Sequence, residues 1–157
     1  MPFSFYFDEG TKVFHVQAVG AVDDLQLMDL NNRLNCEPAF IACYPIVCDC
    51  TAVTEVLISA SLIESLAKVA RLRTNFLAVI APCTVAFGLA RMYQIISDPE
   101  NARISVFAEA KEALMWVRTK SAARGPTVGA YPREPEGASK AIRKRSWARP
   151  SHANTAT

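Results

Sequence analysis

The chain has 157 residues, of which 51% are hydrophobic and 20% charged, so it can form one domain with a sizeable core. No apolar run reaches the roughly 18 residues that a membrane-spanning helix needs. The first residues, MPFSFYFDEG, lack the basic start and the small-residue cleavage site of a signal peptide. Composition therefore argues against a protein with membrane-spanning helices and predicts a cytoplasmic location.

The formal net charge of +2 conceals two parts of opposite sign. Residues 1–118 contain 9 Lys and Arg against 13 Asp and Glu, whereas residues 119–157 contain 8 against 2. The second part also carries four prolines and three glycines without sustained hydrophobic periodicity. We therefore predict a mildly acidic domain over 1–118 and a basic, flexible tail over 119–157.

The first elements are two strands. FSFYF at 3–7 and VFHVQAV at 13–19 flank the turn sequence DEGTK and predict a hairpin. In the second strand, alternation sets Phe14, Val16 and Ala18 on one face, opposite the face that carries His15 and Val19.

A helix and a short strand are predicted next. Leu27, Leu30 and Leu34 recur at helical spacing, Asp23 or Asp24 can cap the start of that helix, and Pro38 marks its end. The sequence YPIVCDCTAV then predicts a strand at about 46–50, followed by a turn at 52–58.

The second predicted helix begins at SASLIESL. Ser59 or Ser61 can cap it, and Glu64 lies three residues after Ser61, as in a capping box. The pattern turns Leu62, Leu66 and Val69 inward, together with Ile63 and Ala70 at its margins.

Two strand–helix units complete the predicted domain. NFLAVIAP at 75–82 is typical of a strand buried on both faces, and Thr84 can cap the third helix, VAFGLARMYQIIS. RISVF at 103–107 predicts the last strand. In the last helix, Ala110, Leu114 and Val117 are predicted to face inward. The order β-β-α-β-α-β-α-β-α predicts an α/β fold with a mixed, mainly parallel five-stranded sheet and about four helices.

This order of elements resembles the STAS domain family, and within it the SpoIIAA-like (STAS/SEC14-type) proteins related to bacterial anti-sigma-factor antagonists. The resemblance covers residues 3–118 and rests on IVCDCTAVTEV leading into a helix, on APCTVAFGLARMYQ, and on RISVFAEAKEALMWV. It implies an antiparallel first strand beside a parallel core with helices packed on the sheet. It also implies a non-enzymatic regulatory or protein-interaction module.

The resemblance also allows the turn before the second helix to be compared with a known phosphorylation motif. Regulated antagonists carry an Asp-Ser-Ser-Gly-like turn whose second serine is phosphorylated, and Ile58, Ser59, Ala60 and Ser61 occupy those four positions here. The acceptor position is Ala60, so the intact phosphoacceptor motif is missing. Capping of the helix is the favoured role of the serines, while an anion site or a phosphorylation switch stays open.

Eight residues form the predicted interaction or ligand surface. They lie near the carboxyl ends of the strands and at the starts of the second and third helices, where open α/β sheets bind their ligands: Asp49, Thr51, Ser59, Ser61, Glu64, Thr84, Phe87 and Arg91. Gly88 on the third helix would permit close approach of a strand, a ligand or another subunit, and packing is the favoured reason.

The five cysteines show no metal-binding spacing. Cys48 and Cys50 form a C-x-C pair, no C-x-x-C occurs, and the two histidines, His15 and His152, are far apart. We expect the cysteines to pack as small hydrophobes, with no metal and no cofactor. Since no G-x-S-x-G motif or glycine-rich phosphate loop occurs, we do not expect an enzyme.

The predicted partner is another protein of unknown identity. A homodimer stays open, as does a small apolar or anionic ligand such as a lipid or a nucleotide. The tail segment KAIRKRSWARP has the composition to contact nucleic acid or an anionic membrane, but a solubilising role is favoured.

Overall fold

A five-stranded mixed sheet lies at the centre of the computed structural model, which describes residues 2–41, 44–70 and 75–123. The strands follow one another across the sheet in sequence order, β1 antiparallel to β2 and the other neighbours parallel. They are β1 (Phe3–Asp8), β2 (Val13–Asp23), β3 (Ile46–Leu57), β4 (Leu77–Ile80) and β5 (Ile104–Phe107). The predicted mixed, mainly parallel sheet is confirmed.

Four helices of 11 to 14 residues and one short turn of helix accompany the strands within the described residues. They are α1 (Asp24–Leu34), α2 (Pro38–Ile41), α3 (Ala60–Ala70), α4 (Thr84–Ser97) and α5 (Ala110–Ala123). Helix α5 continues past the domain boundary predicted at residue 118. The rest of the predicted tail, from residue 124 onward, lies outside the described residues.

Helices α1, α3 and α4 cover one face of the sheet and α5 covers the other. Successive right-handed crossovers in a sheet that grows in one direction place their helices on one face. On that face Phe14, Val16 and Ala18 pack with Leu30 and Leu34 of α1. On the opposite face, α5 packs on the sheet through a second cluster that comprises Val13, Val47, Ala78, Ile80, Ala113 and Val117.

Strand β3 is longer than the sequence pattern indicated, and the predicted turn at 52–58 is wrong. The strand continues to Leu57, paired with β2 as far as Asp23. Its register against β2 shifts twice, between Gln17 and Val19 and between Gly20 and Ala21. Each shift inserts one extra residue on β3, so the simple alternation on which the sequence prediction relied stops after Cys50.

The inward faces of α3 and α5 differ in part from the prediction. In α3 the buried residues are Ile63, Ala67 and Ala70, whereas Val69 is 62% exposed. In α5 the buried residues are Ala113 and Val117, and Leu114 is 38% exposed. Ala110, which was predicted to face inward, is exposed. Each helix therefore faces the core with alanine and one larger apolar residue, Ile63 in α3 and Val117 in α5.

A buried carboxylate organises the connection from α4 to β5. Asp98 is only 2% exposed, and its Oδ2 accepts hydrogen bonds from the backbone N–H groups of Arg103 (2.7 Å) and Ile104 (2.9 Å). Burial acts to raise the pKa of Asp98. The backbone donors, with that of Ala102, and the Arg103 guanidinium outweigh burial and hold the pKa below its usual value.

Candidate functional site

An apolar cavity of about 230 Å³ lies between the sheet and helices α1, α3 and α4. Val16, Ala18 and Val22 of β2 form part of its floor and are almost completely buried. Leu77, Val79 and Ile104 extend the floor across β4 and β5. The cavity therefore lies against most of the width of one face of the sheet.

Strand β3 contributes a continuous row of side chains to the cavity because of its two register shifts. Cys48 and Cys50 face the cavity in normal alternation, and the next lining residues are Val53 and Val56, each three positions further on. Without the shifts, alternation would have turned Val53 to the opposite face. The irregular strand thus keeps four side chains on one face along its length.

The walls of the cavity come from helices on both sides. Leu27, Leu30 and Leu34 of α1 form one wall, and residues that include Leu66 and Leu89 form the other. Leu27, Leu66 and Leu89 are half-buried, unlike the part of the floor that β2 forms. These half-buried side chains place the solvent-accessible edge of the cavity between α1 and the α3–α4 pair.

The polar groups of the cavity are engaged with the protein itself. The Asn75 side-chain amide donates to the carbonyls of Phe40 and Tyr44, both at 3.1 Å. Arg103 donates to the Ser97 carbonyl and pairs with Asp98. Among the described residues, no buried side-chain nitrogen or oxygen lacks a hydrogen-bond partner. The lining therefore offers no charged side chain that awaits a ligand of opposite charge.

Cys48 and Cys50 bring two thiols together in the sheet side of the cavity lining, with 3.9 Å between their Sγ atoms. The hydrogen bond with Cys50, followed by burial, raises the pKa of Cys48, whereas the hydrogen bond from Cys48 lowers the pKa of Cys50. Cys36 and Cys83 are exposed. Within the described ranges, no group of three or more His, Cys, Asp and Glu side chains is placed to hold a metal ion.

A carboxylate from α1 accepts hydrogen bonds at the start of α3. Asp24 accepts hydrogen bonds from the Ser59 backbone N–H and the Ser59 hydroxyl, both at 2.7 Å. The Ser59 hydroxyl also accepts from the Leu62 backbone N–H at 3.3 Å, so Ser59 is the helix cap. The Ser59 hydroxyl, followed by the Ser59 backbone N–H, holds the pKa of Asp24 below its usual value.

The remaining predicted residues at this helix have other contacts. The Ser61 hydroxyl lies 3.1 Å from that of Ser59. Glu64 pairs with Lys68 one turn further on, at 2.6 Å, so the predicted capping box between Ser61 and Glu64 is wrong. Helix α1 does contain a capping box, formed by its predicted cap Asp23 with Gln26.

The predicted residues on β3 and α4 also lie outside the cavity. Asp49 points away from Cys48 and Cys50, as alternation predicted, and accepts a hydrogen bond from the Thr51 backbone N–H at 2.8 Å. Thr84 is the first residue of α4 and does not cap it, because the cap position is Cys83, which makes no side-chain capping bond. Arg91 is exposed and donates to Gln94 of its own helix.

None of the eight predicted residues lines the cavity. The sequence prediction did not identify the cavity itself. That prediction favoured polar side chains near strand and helix ends, where ligands with polar groups bind. The lining is instead almost entirely apolar and was assigned to the packed core. Only one signal pointed to it, the spacing of two and then three between Cys48, Cys50, Val53 and Val56. Whether the eight residues form an interaction surface stays a prediction.

The comparisons with known proteins bear on the fold. No protein-family model and no curated protein sequence matches the chain. A solved structure from Shewanella loihica PV-4, an uncharacterized protein of the DUF3478 family with a SpoIIAA-like fold, is similar with a TM-score of 0.50 and 14% identity. The match covers 73% of this chain and 91% of that chain. No helix in the described part of the chain is long and apolar enough to span a membrane. The predicted resemblance is confirmed at the level of architecture: the chain has a SpoIIAA-like fold.

Proposed function

We propose that this domain binds a small, neutral, apolar molecule in the cavity between the sheet and helices α1, α3 and α4. The observation that carries the proposal is an apolar lining whose polar side chains are already hydrogen-bonded within the protein. An ionic ligand would lose its hydration there without gaining a partner, at a high cost in free energy. An apolar ligand loses only unfavourable contact with water.

The volume of the cavity limits the size of the ligand. A dry cavity of about 150 Å³ lined by aliphatic and aromatic side chains is large enough to bind benzene. The cavity here measures about 230 Å³, below the roughly 300–1,000 Å³ of pockets that hold drug-sized ligands. A molecule with one or two rings, or a short hydrocarbon chain, matches this space.

Binding without catalysis is part of the proposal. Among the described residues the one histidine, His15, stacks on Tyr6 with 4.9 Å between the ring centroids. Its strand neighbours Phe14 and Val16 face the cavity side, so His15 lies on the opposite face of the sheet from Cys48 and Cys50. A cysteine–histidine pair in the cavity is therefore not formed by these residues. We also propose that the protein acts in the cytoplasm, where its free thiols would stay reduced.

An anionic ligand at the start of α3 receives little support from the geometry. A helix N-terminus attracts anions through its free N–H groups and its dipole. At α3 the Asp24 carboxylate already lies against Ser59. A phosphate at this position would meet a negative charge, so we favour the apolar ligand over a nucleotide.

Two measurements test the proposal. Protein purified from its native host should release an apolar compound on denaturation, detected by mass spectrometry of the organic extract. The purified protein should also enhance the fluorescence of the neutral two-ring probe 1-naphthylamine, with saturation at one probe per chain. Absence of saturable probe binding in a correctly folded protein would contradict the proposal.

A pair of variants on α4 locates the binding. Ala90 lines the cavity, whereas Val85 on the same helix is 55% exposed and lies outside it. Ala90→Phe should weaken probe binding because the ring occupies the space of the ligand, and the control variant Val85→Phe should bind like the natural protein. Equal binding by both variants, with both folded, would place the probe elsewhere.

A second candidate function, a protein-interaction module, is favoured by the outer side of α4. Val85, Gly88, Met92 and Ile95 follow one another at intervals of three, four and three residues. Val85 and Ile95 are 55% and 57% exposed. Such a stripe matches the spacing that lets one helix pack against another. Capture of a partner from native extract, lost in a Val85→Glu, Ile95→Glu variant and kept in a Ser65→Glu control, would support it.

A further inference from the structure

We propose that Cys48 and Cys50 form a two-thiol binding site for a trivalent organic arsenical whose apolar group occupies the cavity. The inference rests on the proposed function in one respect, since the cavity must admit an apolar group. It goes beyond that function because it assigns covalent chemistry to the two thiols. The two Sγ atoms line the same cavity and lie 3.9 Å apart.

The distance between the sulfur atoms suits a bridging atom. Bonds of about 2.3 Å, the length of a zinc–thiolate bond, would give an S–X–S angle of about 116° at 3.9 Å. Small rotations about the two Cα–Cβ bonds bring that angle toward the pyramidal geometry of trivalent arsenic. A disulfide needs the sulfurs at about 2.05 Å and the Cβ atoms within about 4.5 Å, which two residues on one side of a single extended strand do not readily reach.

The backbone holds the two thiols in place. Cys48 pairs with Val16 of β2 and Val79 of β4, so its part of β3 is bonded to a neighbour on both sides. Cys50 lies two residues further on the same face, within the first register shift, between the paired residues Asp49 and Ala52. The paired backbone on either side keeps both thiols on the cavity side of the strand. The pair is therefore arranged before any ligand enters.

The residues around the two thiols favour one kind of thiol-binding atom over others. Zinc takes four ligands, and the described residues offer no third or fourth ligand beside the pair. A cuprous ion held by two thiolates has a net negative charge, which the apolar lining would not stabilise. A trivalent arsenic atom that carries one organic group needs two sulfurs and gives a neutral product. Its organic group has the cavity beside it.

The binding step balances without an oxidant or a reductant. An arsenoxide, R–As=O, reacts with the two S–H groups to form R–As(S–Cys48)(S–Cys50) and one water molecule. Two As–S bonds form, the As=O bond and two S–H bonds break, and both protons leave in the water. Arsenic stays trivalent, and no charge is left in the cavity.

Phenylarsine oxide is the probe for the experiment. The full chain with Cys36, Cys43 and Cys83 replaced by serine retains Cys48 and Cys50 as its cysteines. Intact-mass spectrometry of this variant should show one phenylarsenic group per chain after an excess of a monothiol has been added. A dithiol such as dimercaptopropanol should remove it. Circular dichroism compares the fold of this variant with that of the natural chain, which is treated in parallel.

Single replacements decide whether the pair is the site. Cys48→Ser or Cys50→Ser should each abolish the monothiol-resistant adduct, because one sulfur forms a bond that monothiols exchange. An adduct that survives in either variant, or one that a monothiol removes from the parent chain, would overturn the proposal. If the triple-serine chain does not fold, peptide mapping of the natural chain must place the resistant adduct across Cys48 and Cys50, and any other location overturns it.

A competition separates this proposal from the proposed function. Saturating 1-naphthylamine should slow the arsenical reaction, because both molecules occupy the cavity. A resistant adduct on Cys48 and Cys50 in a protein that does not bind the neutral probe would support the thiol site and contradict the proposed function. Saturable probe binding with no resistant adduct would leave the proposed function standing and overturn the thiol site.

Discussion

Single side chains decide how the starts of the helices are satisfied, and they do so across long sequence separations. Ser59 caps α3 and is itself held by Asp24, the first residue of α1, 35 positions earlier. The sequence predicted a cap at Ser59 or Ser61, because serine before an apolar helical run is a local signal. It could not predict the carboxylate partner, since that contact exists only after the two helices pack on the same sheet.

Replacement of Ser59 tests this arrangement. Ser59→Ala should lower the free energy of unfolding by about 0.5–2 kcal/mol, because the Leu62 N–H loses its acceptor and Asp24 loses a donor. Urea unfolding monitored by circular dichroism measures the change. Ser65→Ala is the matched control: its hydroxyl donates to the Ser61 carbonyl within the same helix, and its loss should have little effect.

An aspartate at position 59 gives a sharper outcome. The helix dipole alone would let Ser59→Asp restore the cap. The new carboxylate would, however, lie against Asp24, so we expect Ser59→Asp to be no more stable than Ser59→Ala at neutral pH. Recovery of full stability by Ser59→Asp would show that Asp24 does not hold Ser59 in solution.

Asp98 should make stability depend on acid pH. Its pKa is lower in the folded chain than the usual value of about 3.9, so its contribution is present above that value and is lost as pH falls through the lowered pKa. Asp98→Asn should therefore be less stable than the natural chain at pH 7, and the difference should shrink at strongly acid pH. Urea unfolding at several pH values measures this, with exposed Asp29→Asn as control. A difference independent of pH would contradict it.

Among the secondary-structure elements, the sequence predicts those with a regular apolar periodicity and misses the extent of the one strand whose periodicity is irregular. The hairpin, the buried strand β4 and four helices follow from alternation, from apolar runs and from helical spacing. The sequence pattern predicts too short a β3, because the two register shifts change the apolar spacing from two to three after Cys50. Those shifts are set by pairing with β2, which a local pattern does not contain.

Two glycines provide a prediction at this scale. A Cβ atom added at Gly88 of α4 or at Gly20 of β2 would meet no atom within 4 Å, but Gly20 has a φ of +77°. Gly88→Ala should stabilise the chain by up to about 1 kcal/mol, because alanine has the higher helix propensity. Gly20→Ala should destabilise it by about 1–2 kcal/mol, because an L side chain is strained at positive φ.

Thermal unfolding of the two glycine variants checks this difference, since only the backbone conformation separates the two positions. The sequence-based expectation that Gly88 permits close packing finds no neighbour among the described residues. Destabilisation by Gly88→Ala, or a change in oligomeric state, would show that another chain covers this side of α4.

For the whole molecule, the architecture was predictable from the sequence and the cavity was not. The fold follows from the order of elements, since strands alternating with helices specify a mainly parallel sheet. The cavity depends on how far α1 stands from α3 and α4 on the same face, which is a property of three helices together. Leu30 of α1 and Ile63 of α3 look like ordinary core residues in the sequence, yet both line the space between the helices.

The extent of the folded unit supplies the last prediction. A chain that ends at Ala123 should unfold at nearly the temperature of the full chain, because the composition of residues 124–157 predicts a tail with little buried apolar area. A chain that ends at residue 118 should unfold at a lower temperature, since it loses the last turn of α5. That turn contains Lys120, whose ammonium lies 5.7 Å from the Trp116 ring centroid and 6.0 Å from that of Phe76.

Calorimetry of the three chains separates the two claims. A loss of about 1 kcal/mol corresponds to a decrease in Tm of roughly 4 °C for a domain of this size. A decrease of that magnitude in the chain ending at Ala123 would show that residues beyond it pack on the domain. An unchanged Tm in the chain ending at residue 118 would instead show that the last turn of α5 adds nothing, and would restore the boundary predicted from composition. We expect a decrease only in the shorter chain, because the contacts of Lys120 belong to the helix and not to the sequence that follows it.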